Sequence, residues 1–278
     1  MQTKITTPNN FRDNYILVID SLDRDIAKYS TPSEYVVKLP VNLRNTDTIE
    51  LMSLQLTRTE TNVNSGNKSF SVTISATTYT VTLTEEDIAS GANLASYVQT
   101  AIRTATGDNT FTVTYSSTTR KLTIGHPTTI FSIDVGENSA RLLGMLATTG
   151  FRGAGSITAS AIGGGAYAIA GTRIVDLSGT PYLILTMNDY DRVLSPSNAA
   201  QKSFLVVPME NYTVGQRFVI CGDEKEKKGI YILTNNQKNL FELRVSFKRP
   251  DGSLYDFAGV DHVMTFRVYR HDFHDYNS

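Results

Sequence analysis

The sequence predicts a mainly β protein, a jelly-roll-like antiparallel β-sandwich carrying a small inserted α+β domain of hairpin, helix and hairpin. Three observations carry this expectation. Short runs of alternating apolar and polar residues, the period-two signature of half-buried strands, fill 15–56 and again 182–269. Between them the grammar changes to paired hairpins around the one convincing amphipathic helix of the chain. Neither flank holds enough strands to close a sandwich alone, whereas together they do. The expected division is therefore 1–66 for an N-terminal arm and the first sandwich strands, 67–150 for the insertion, and 151–278 for the remaining strands.

The elements follow in order. Residues 1–14 are polar, contain Pro8 and lack periodicity, so they read as an extended arm, disordered or ordered only on a partner. Tyr15-Ile16-Leu17-Val18-Ile19 has strand length, and Tyr35, Val37 and Leu39 share one face of a strand that Pro40 is expected to end. In 49–58 the alternation changes phase, since Ile49 and Leu51 have one parity and Leu54 and Leu56 the other. A bulge near Met52-Ser53 restores a single buried face. After a polar linker, 59–68, Phe70, Val72 and Ile74 alternate with polar residues, 75–78 turns the chain, and Tyr79, Val81 and Leu83 return.

From Asn93 the spacing becomes helical. Leu94, Val98 and Ile102 fall four apart with Ala95, Ala101 and Ala105 beside them; Asn93 is positioned to cap the start, and Gly107 follows the end. Phe111, Val113 and Tyr115 form a strand with Leu122 and Ile124 opposite, Phe131, Ile133 and Val135 add another, and 139–144 is a compact turn. The resulting unit of about 80 residues is large enough to hold its own core. Residues 150–171 are rich in glycine, including the Gly163-Gly164-Gly165 triplet, and read as a flexible loop or one fixed by a neighbour. The sandwich resumes at 182–187, 204–207, 217–221 and 230–233. It finishes with two strong strands, Phe241, Leu243, Val245 and Phe247 in one, Met264, Phe266 and Val268 in the other. About eight to ten flanking strands suit a Greek-key sandwich or jelly roll.

Composition narrows the function classes. Charged residues are 19% of 278 and the formal net charge is −1, without the basic excess or stripe by which nucleic-acid binders neutralise phosphates, so no direct nucleic-acid partner is expected. The Lys225, Lys227 and Lys228 run alternates with Asp223, Glu224 and Glu226 and reads as a solvated loop. The single cysteine, Cys221, lies in an apolar run and reads as a small buried hydrophobe. No stretch reaches the roughly 20 apolar residues of a membrane span, and 1–14 lacks a signal-peptide core. The sequons at Asn67 and Asn211 are read as chance.

Patterns that carry chemistry are incomplete. The glycine-rich stretch lacks the Lys-Ser/Thr pair of a phosphate loop, and Gly153-Ala154-Gly155-Ser156-Ile157-Thr158 misses the third glycine of a dinucleotide fingerprint. His271-Asp272-Phe273-His274-Asp275 holds metal-ligand types, but strand spacing puts them on opposite faces. Asp189 and Asp191 follow a strand, where such residues make turns. There is no Gly-x-Ser-x-Gly elbow, and no Trp or aromatic cluster for sugar stacking. No catalytic, cofactor-binding or metal-binding residue is therefore assigned.

Several short pieces taken together resemble the single jelly-roll minor capsid and penton (vertex) proteins of large double-stranded DNA viruses and virophages. They are Asp23-Arg24-Asp25 ahead of Pro32-Ser33-Glu34-Tyr35-Val36-Val37-Lys38-Leu39, then Ile49-Glu50-Leu51-Met52-Ser53. In the insertion they are Tyr79-Thr80-Val81-Thr82-Leu83, the helix, Phe111-Thr112-Val113-Thr114-Tyr115, Lys121-Leu122-Thr123-Ile124 and Leu142-Leu143-Gly144-Met145. Residues 240–247, Asp251-Gly252 and Asp261-His262-Val263-Met264-Thr265-Phe266 close the set. The resemblance implies a non-enzymatic virion protein without cofactors, assembled in the host cell cytoplasm or nucleus. Such a protomer self-associates, often as a pentamer, contacts major capsid or other virion proteins, and displays its insertion outward. A tail, fibre or baseplate component and a receptor- or glycan-binding module are the alternative readings.

Overall fold

The computed structural model describes residues 12–147, 154–188, 190, 193–197, 199–209, 212–221 and 231–271. Most of the arm, the charged run 223–228, the Asp189 and Asp191 pair, the side chain of His271 and all of 272–275 lie outside them. Two compact units emerge: unit 1 from 1–59 with 182–278, and unit 2 from 60–181.

The chain opens with β1 (Arg12–Asp20), a 3-10 turn (Ser21–Asp23) and β2 (Glu34–Thr57). Unit 2 then runs through β3 (Ser69–Ile74), β4 (Thr77–Thr82), α1 (Gly91–Thr106), β5 (Thr112–Ser116), β6 (Lys121–His126), β7 (Phe131–Val135), α2 (Glu137–Leu143), β8 (Gly155–Thr158), β9 (Ser160–Gly163) and β10 (Ala166–Ala170). Unit 1 resumes with β11 (Tyr182–Met187), β12 (Leu205–Pro208), β13 (Arg217–Cys221), β14 (Tyr231–Lys248) and β15 (Val263–His271).

Unit 1 is an antiparallel, jelly-roll-like β body. Its strands follow the order β1-β15-β2-β14-β11-β12, with β13 also on β2. Strand β2 is the hub, because β14 pairs with it along one stretch, β13 along another, and β15 on the opposite side. At 24 residues it continues through Pro40, which was expected to end it. Pro40 is exposed, and the β2–β14 register is broken by bulges in this stretch, so the missing N–H is tolerated. The phase change of 49–58 is resolved as expected: Ser53 pairs with Thr265 and Leu51 with Phe266, leaving Met52 as the extra residue of a bulge. Ile49, Leu51, Leu54 and Leu56 all enter one core with Tyr35, Leu243, Phe247 and Phe266. Fewer strands than expected are needed because β2 and β14 each absorb two of the anticipated runs. Cys221 is exposed, a correction: Phe218 is the buried residue of β13, and Cys221 shares the outward parity of Arg217 and Val219.

Unit 2 holds two four-stranded sheets, β5-β6-β10-β9 and β4-β3-β7-β8. Leu94, Val98 and Ile102 of α1 meet Phe70, Val81, Phe111 and Ile133 in a second core. Ser90, rather than Asn93, caps α1; its side chain accepts from the Asn93 N–H, and Gly107 closes the helix at φ 71°. The turn after β3 shortens to Ser75 and Ala76, both at positive φ, as a two-residue hairpin loop requires. The compact turn 139–144 is the end of α2, stopped by Gly144 at φ 65°.

The stretch 151–181, which the sequence reading joins to the sandwich, belongs with unit 2 in its described part. Strand β8 pairs with β7, β10 pairs with β6, and Gly163, Gly164 and Gly165 all take positive φ in the turn joining β9 to β10. Glycine content thus marks a tight turn between paired strands. Unit 2 also ties its own ends together, since Thr180 donates to the Glu60 carboxylate at 2.8 Å. The polar linker is ordered by asparagines. Asn62 exchanges hydrogen bonds with Ile88, and buried Asn67 accepts from the Asn64 N–H and donates to the Asn62 carbonyl.

Gly107 and Gly144 make a controlled comparison. A Cβ at Gly107 meets nothing within 4 Å, whereas one at Gly144 would lie 2.5 Å from the Arg173 carbonyl oxygen. Gly107→Ala is expected to cost about 1–2 kcal/mol from the left-handed backbone alone, and Gly144→Ala a further 1–3 or so from overpacking. Denaturant unfolding of the two variants side by side checks the order.

Candidate functional site

The densest polar chemistry of unit 1 sits where the turn after β1 meets the entry to β15. The 3-10 turn is capped by Asp20, whose carboxylate accepts from the Leu22 N–H. This geometry aims Arg24 inward. Its guanidinium donates to the Ser21 carbonyl at 2.6 Å, to Asp261 Oδ1 at 2.6 Å and to the Tyr29 carbonyl at 3.1 Å. Ser21 Oγ donates to the same carboxylate oxygen at 2.7 Å and accepts from the His262 N–H. His262 Nε2 lies 2.9 Å from the Tyr35 hydroxyl, and its ring packs edge-on against Phe247 at 4.7 Å.

Burial governs the electrostatics here. Desolvation pushes the His262 pKa down to about 3, outweighing the pull of Asp261 in the other direction. The imidazole is neutral at physiological pH. Burial likewise raises the Tyr35 phenol. Asp261 is held below its ordinary value: its partial burial acts upward, and hydrogen bonds from Ser21 and Arg24 with the Arg24 charge prevail. A depression of about 320 Å³ borders this network, lined by Asp20, Gln55, Arg217, Asp261 and His262. Ser21, Arg24, Asp261 and the His262 N–H spend hydrogen bonds on one another, and His262 Nδ1 is inaccessible and unpartnered. The arrangement fastens two chain segments.

Unit 2 has a second cluster that looks catalytic in composition and is structural in geometry. His126 Nε2 lies 2.9 Å from both Asp108 Oδ2 and Thr110 Oγ1. Its Nδ1 accepts from the backbone N–H groups of Thr128 and Thr129, which places the ring proton on Nε2, facing the carboxylate. A base for the Thr110 hydroxyl would need that nitrogen bare. Hydrogen bonds from Thr110, then from His126, draw the Asp108 carboxyl down to about 2. Among the described residues no three His, Cys, Asp or Glu side chains group as metal ligands would.

Among the described residues unit 1 carries exposed apolar side chains on β1, an end strand of its sheet. On β1, Ile16 and Val18 share one parity and are 55% and 56% exposed. They lie opposite Arg267 and Thr265 of β15, in a row that continues to Glu50 of β2 through the Arg267–Glu50 ion pair. Unit 2 offers a groove of about 590 Å³ between β4 with the residues after it and α1. On its helical wall Tyr97 hydrogen-bonds Glu86, which raises the phenol above its ordinary value.

Sequence reasoning missed Arg24, Tyr35, Asp261 and His262 as one site. The signal was present as Arg24 and Asp261 within two of the resembling pieces, but nothing local links residues 237 positions apart.

These features define a two-unit β protein whose notable chemistry is surface and closure. The chain belongs to a family of unknown function (DUF5901), whose model matches residues 5–163. No curated protein matches it. Among solved structures it is similar to the mavirus penton protein, at 9% identity and a TM-score of 0.42, covering 94% of this chain and 100% of that one. It is also similar to a chain of the Sputnik virophage particle solved by cryo-EM, at 9% identity and a TM-score of 0.31, covering 94% and 98%.

The buried imidazole gives a pH signature. Its folded pKa of about 3 lies below the unfolded value of 6.5, so on acidification the unfolded state takes up a proton that the folded state refuses. The stabilisation is full above 6.5 and falls as pH drops toward 3. Between pH 7 and 5, above the range where carboxylates titrate, the native chain should lose about 2 kcal/mol more stability than His262→Gln. Unfolding midpoints at the two pH values measure the difference; equal losses would mean that His262 is not buried neutral.

Proposed function

We propose that this chain is a non-enzymatic structural protein of a virus particle, a minor capsid or penton protomer that associates with copies of itself and with other virion proteins. The observation that carries this reading is the exposed apolar strip on β1, where Ile16 and Val18 stand on a strand with no partner at its outer edge among the described residues. Free edges with apolar side chains are templates for association and are avoided in proteins that remain single. A closed ring or shell uses the same patch on every copy, so a short strip repeated by symmetry suffices.

The pieces of sequence that resemble capsid proteins add support. Arg24 from one piece and Asp261 from another form the ion pair that fastens the ends of unit 1. In this reading unit 1 makes the lateral contacts and unit 2 is displayed. The number of copies separates a penton, with five, from a tail or baseplate component, with three or six.

Ile16→Glu with Val18→Glu, at outward positions of an edge strand, should leave the fold intact by circular dichroism. The change should reduce assembly by at least about tenfold, the effect of losing one or two buried aliphatic anchors per contact. Mass photometry of the purified chain, native and variant, reads the outcome. A native chain that stays monomeric and is absent from particles would overturn the proposal.

A further inference from the structure

Among the described residues strand β4 pairs with β3 alone, and that pairing determines which residues face its other edge. The Leu83 N–H donates to the Lys68 carbonyl, on the β3 side. In an antiparallel pair the inward and outward backbone groups alternate, so the odd-numbered residues of this strand point toward β3 and the even-numbered ones point away. Thr80, Thr82 and Thr84 therefore turn their N–H and C=O groups outward, and these are the residues that line the groove. Across from them α1 presents Tyr97, Ala101 and Ala105, spaced four apart, a wall low enough for another backbone to approach. An edge strand flanked by a helix, with a groove between, is the setting in which an extended peptide adds as one more strand.

We propose that this groove receives the N-terminal arm of a neighbouring copy of the chain, residues 2–7 pairing with the free edge of β4. The inference rests on the self-association proposed above. The arm precedes β1 directly, and Gln2-Thr3-Lys4-Ile5-Thr6-Thr7 is strand-prone in composition up to Pro8, which cannot donate to a ladder. Six extended residues span about 20 Å, enough to cover the edge of β4. In an added strand Thr3, Ile5 and Thr7 would share one face, so that Ile5 would supply an apolar anchor for the alanine wall. Charge agrees as well. Residues 1–11 contain Lys4 and no acid, while the end of the groove is followed by Glu85, Glu86 and Asp87, with Lys68 paired to Glu85 as the counter-charge. Strand addition supplies main-chain hydrogen bonds, and the wall selects a small aliphatic residue at every second position.

Disulfide trapping between full-length copies tests this. Cys221 is the single cysteine, so Cys221→Ser gives a clean background. Chains carrying Ile5→Cys are co-expressed with chains carrying Ala101→Cys, and, as a control, with chains carrying Thr118→Cys on the exposed turn after β5. Oxidation should yield a covalent pair with Ala101→Cys about tenfold in excess of the control. Adding Thr82→Pro to the Ala101→Cys chain removes an outward N–H without touching the β3 ladder. The pair should then fall by about fivefold to tenfold, the loss of one or two hydrogen bonds, with the fold retained. Equal trapping at both positions, or trapping indifferent to Thr82→Pro, would overturn the assignment. Mass photometry of the same samples separates the two readings: assembly without selective trapping sinks the groove alone, and no assembly sinks both.

Discussion

The structure of unit 1 depends on one constraint, that the first and last of its described strands must meet. Among the described residues β1 pairs with β15 alone, and β15 reaches the core through β2, so the first strand is held by the last. The Ser21, Arg24, Asp261 and His262 network is the fastening. A guanidinium 6% exposed is costly unless its donors are spent, and three acceptors take them. The same carboxylate oxygen serves Arg24 and Ser21, and the Ser21 oxygen in turn holds the His262 N–H. Each bond is correctly aimed only if the 3-10 turn and the 261–262 corner are both formed, so the network converts a meeting of β1 and β15 into a specific register.

The same logic explains how an insertion of this size is accommodated. Unit 2 has its own core and closes its own ends through Glu60 and Thr180. A segment whose termini are tied adds little conformational cost to the chain that carries it. Its polar clusters serve local closure too, with His126 capping the loop after β6 and the asparagines of 62–67 ordering the approach to β3. Among the described residues, the two densest polar clusters, Arg24 with Asp261 and His126 with Asp108, are thus engaged in local closure.

Much of this was legible in the sequence because period and phase are local properties. The Met52 bulge could be read from a change of parity between Leu51 and Leu54, and α1 from four-residue spacing. The failures have physical causes. Pro40 stops a regular strand but not a bulged one, and Ser90 beats Asn93 as a cap because the helix starts one turn earlier, at Gly91, beneath the Tyr115 ring. Glycine-rich sequence gives no hint that β8 and β10 find partners in β7 and β6, since those bonds are made by the backbone. The Arg24–Asp261 pair is invisible for a different reason: its two halves are unremarkable charges until the fold brings them together.

Native-state hydrogen exchange on the full chain with Arg24→Ala tests the central claim most directly. Breaking a buried ion pair costs about 3 kcal/mol, so amides of β1, β2 and β15 should lose protection together and by a common amount, while those of α1, β3 and β7 keep theirs. Loss confined to β1 and its turn would contradict the claim, because it would show that the meeting of β1 and β15 is an appendage to unit 1 and not the constraint that closes it.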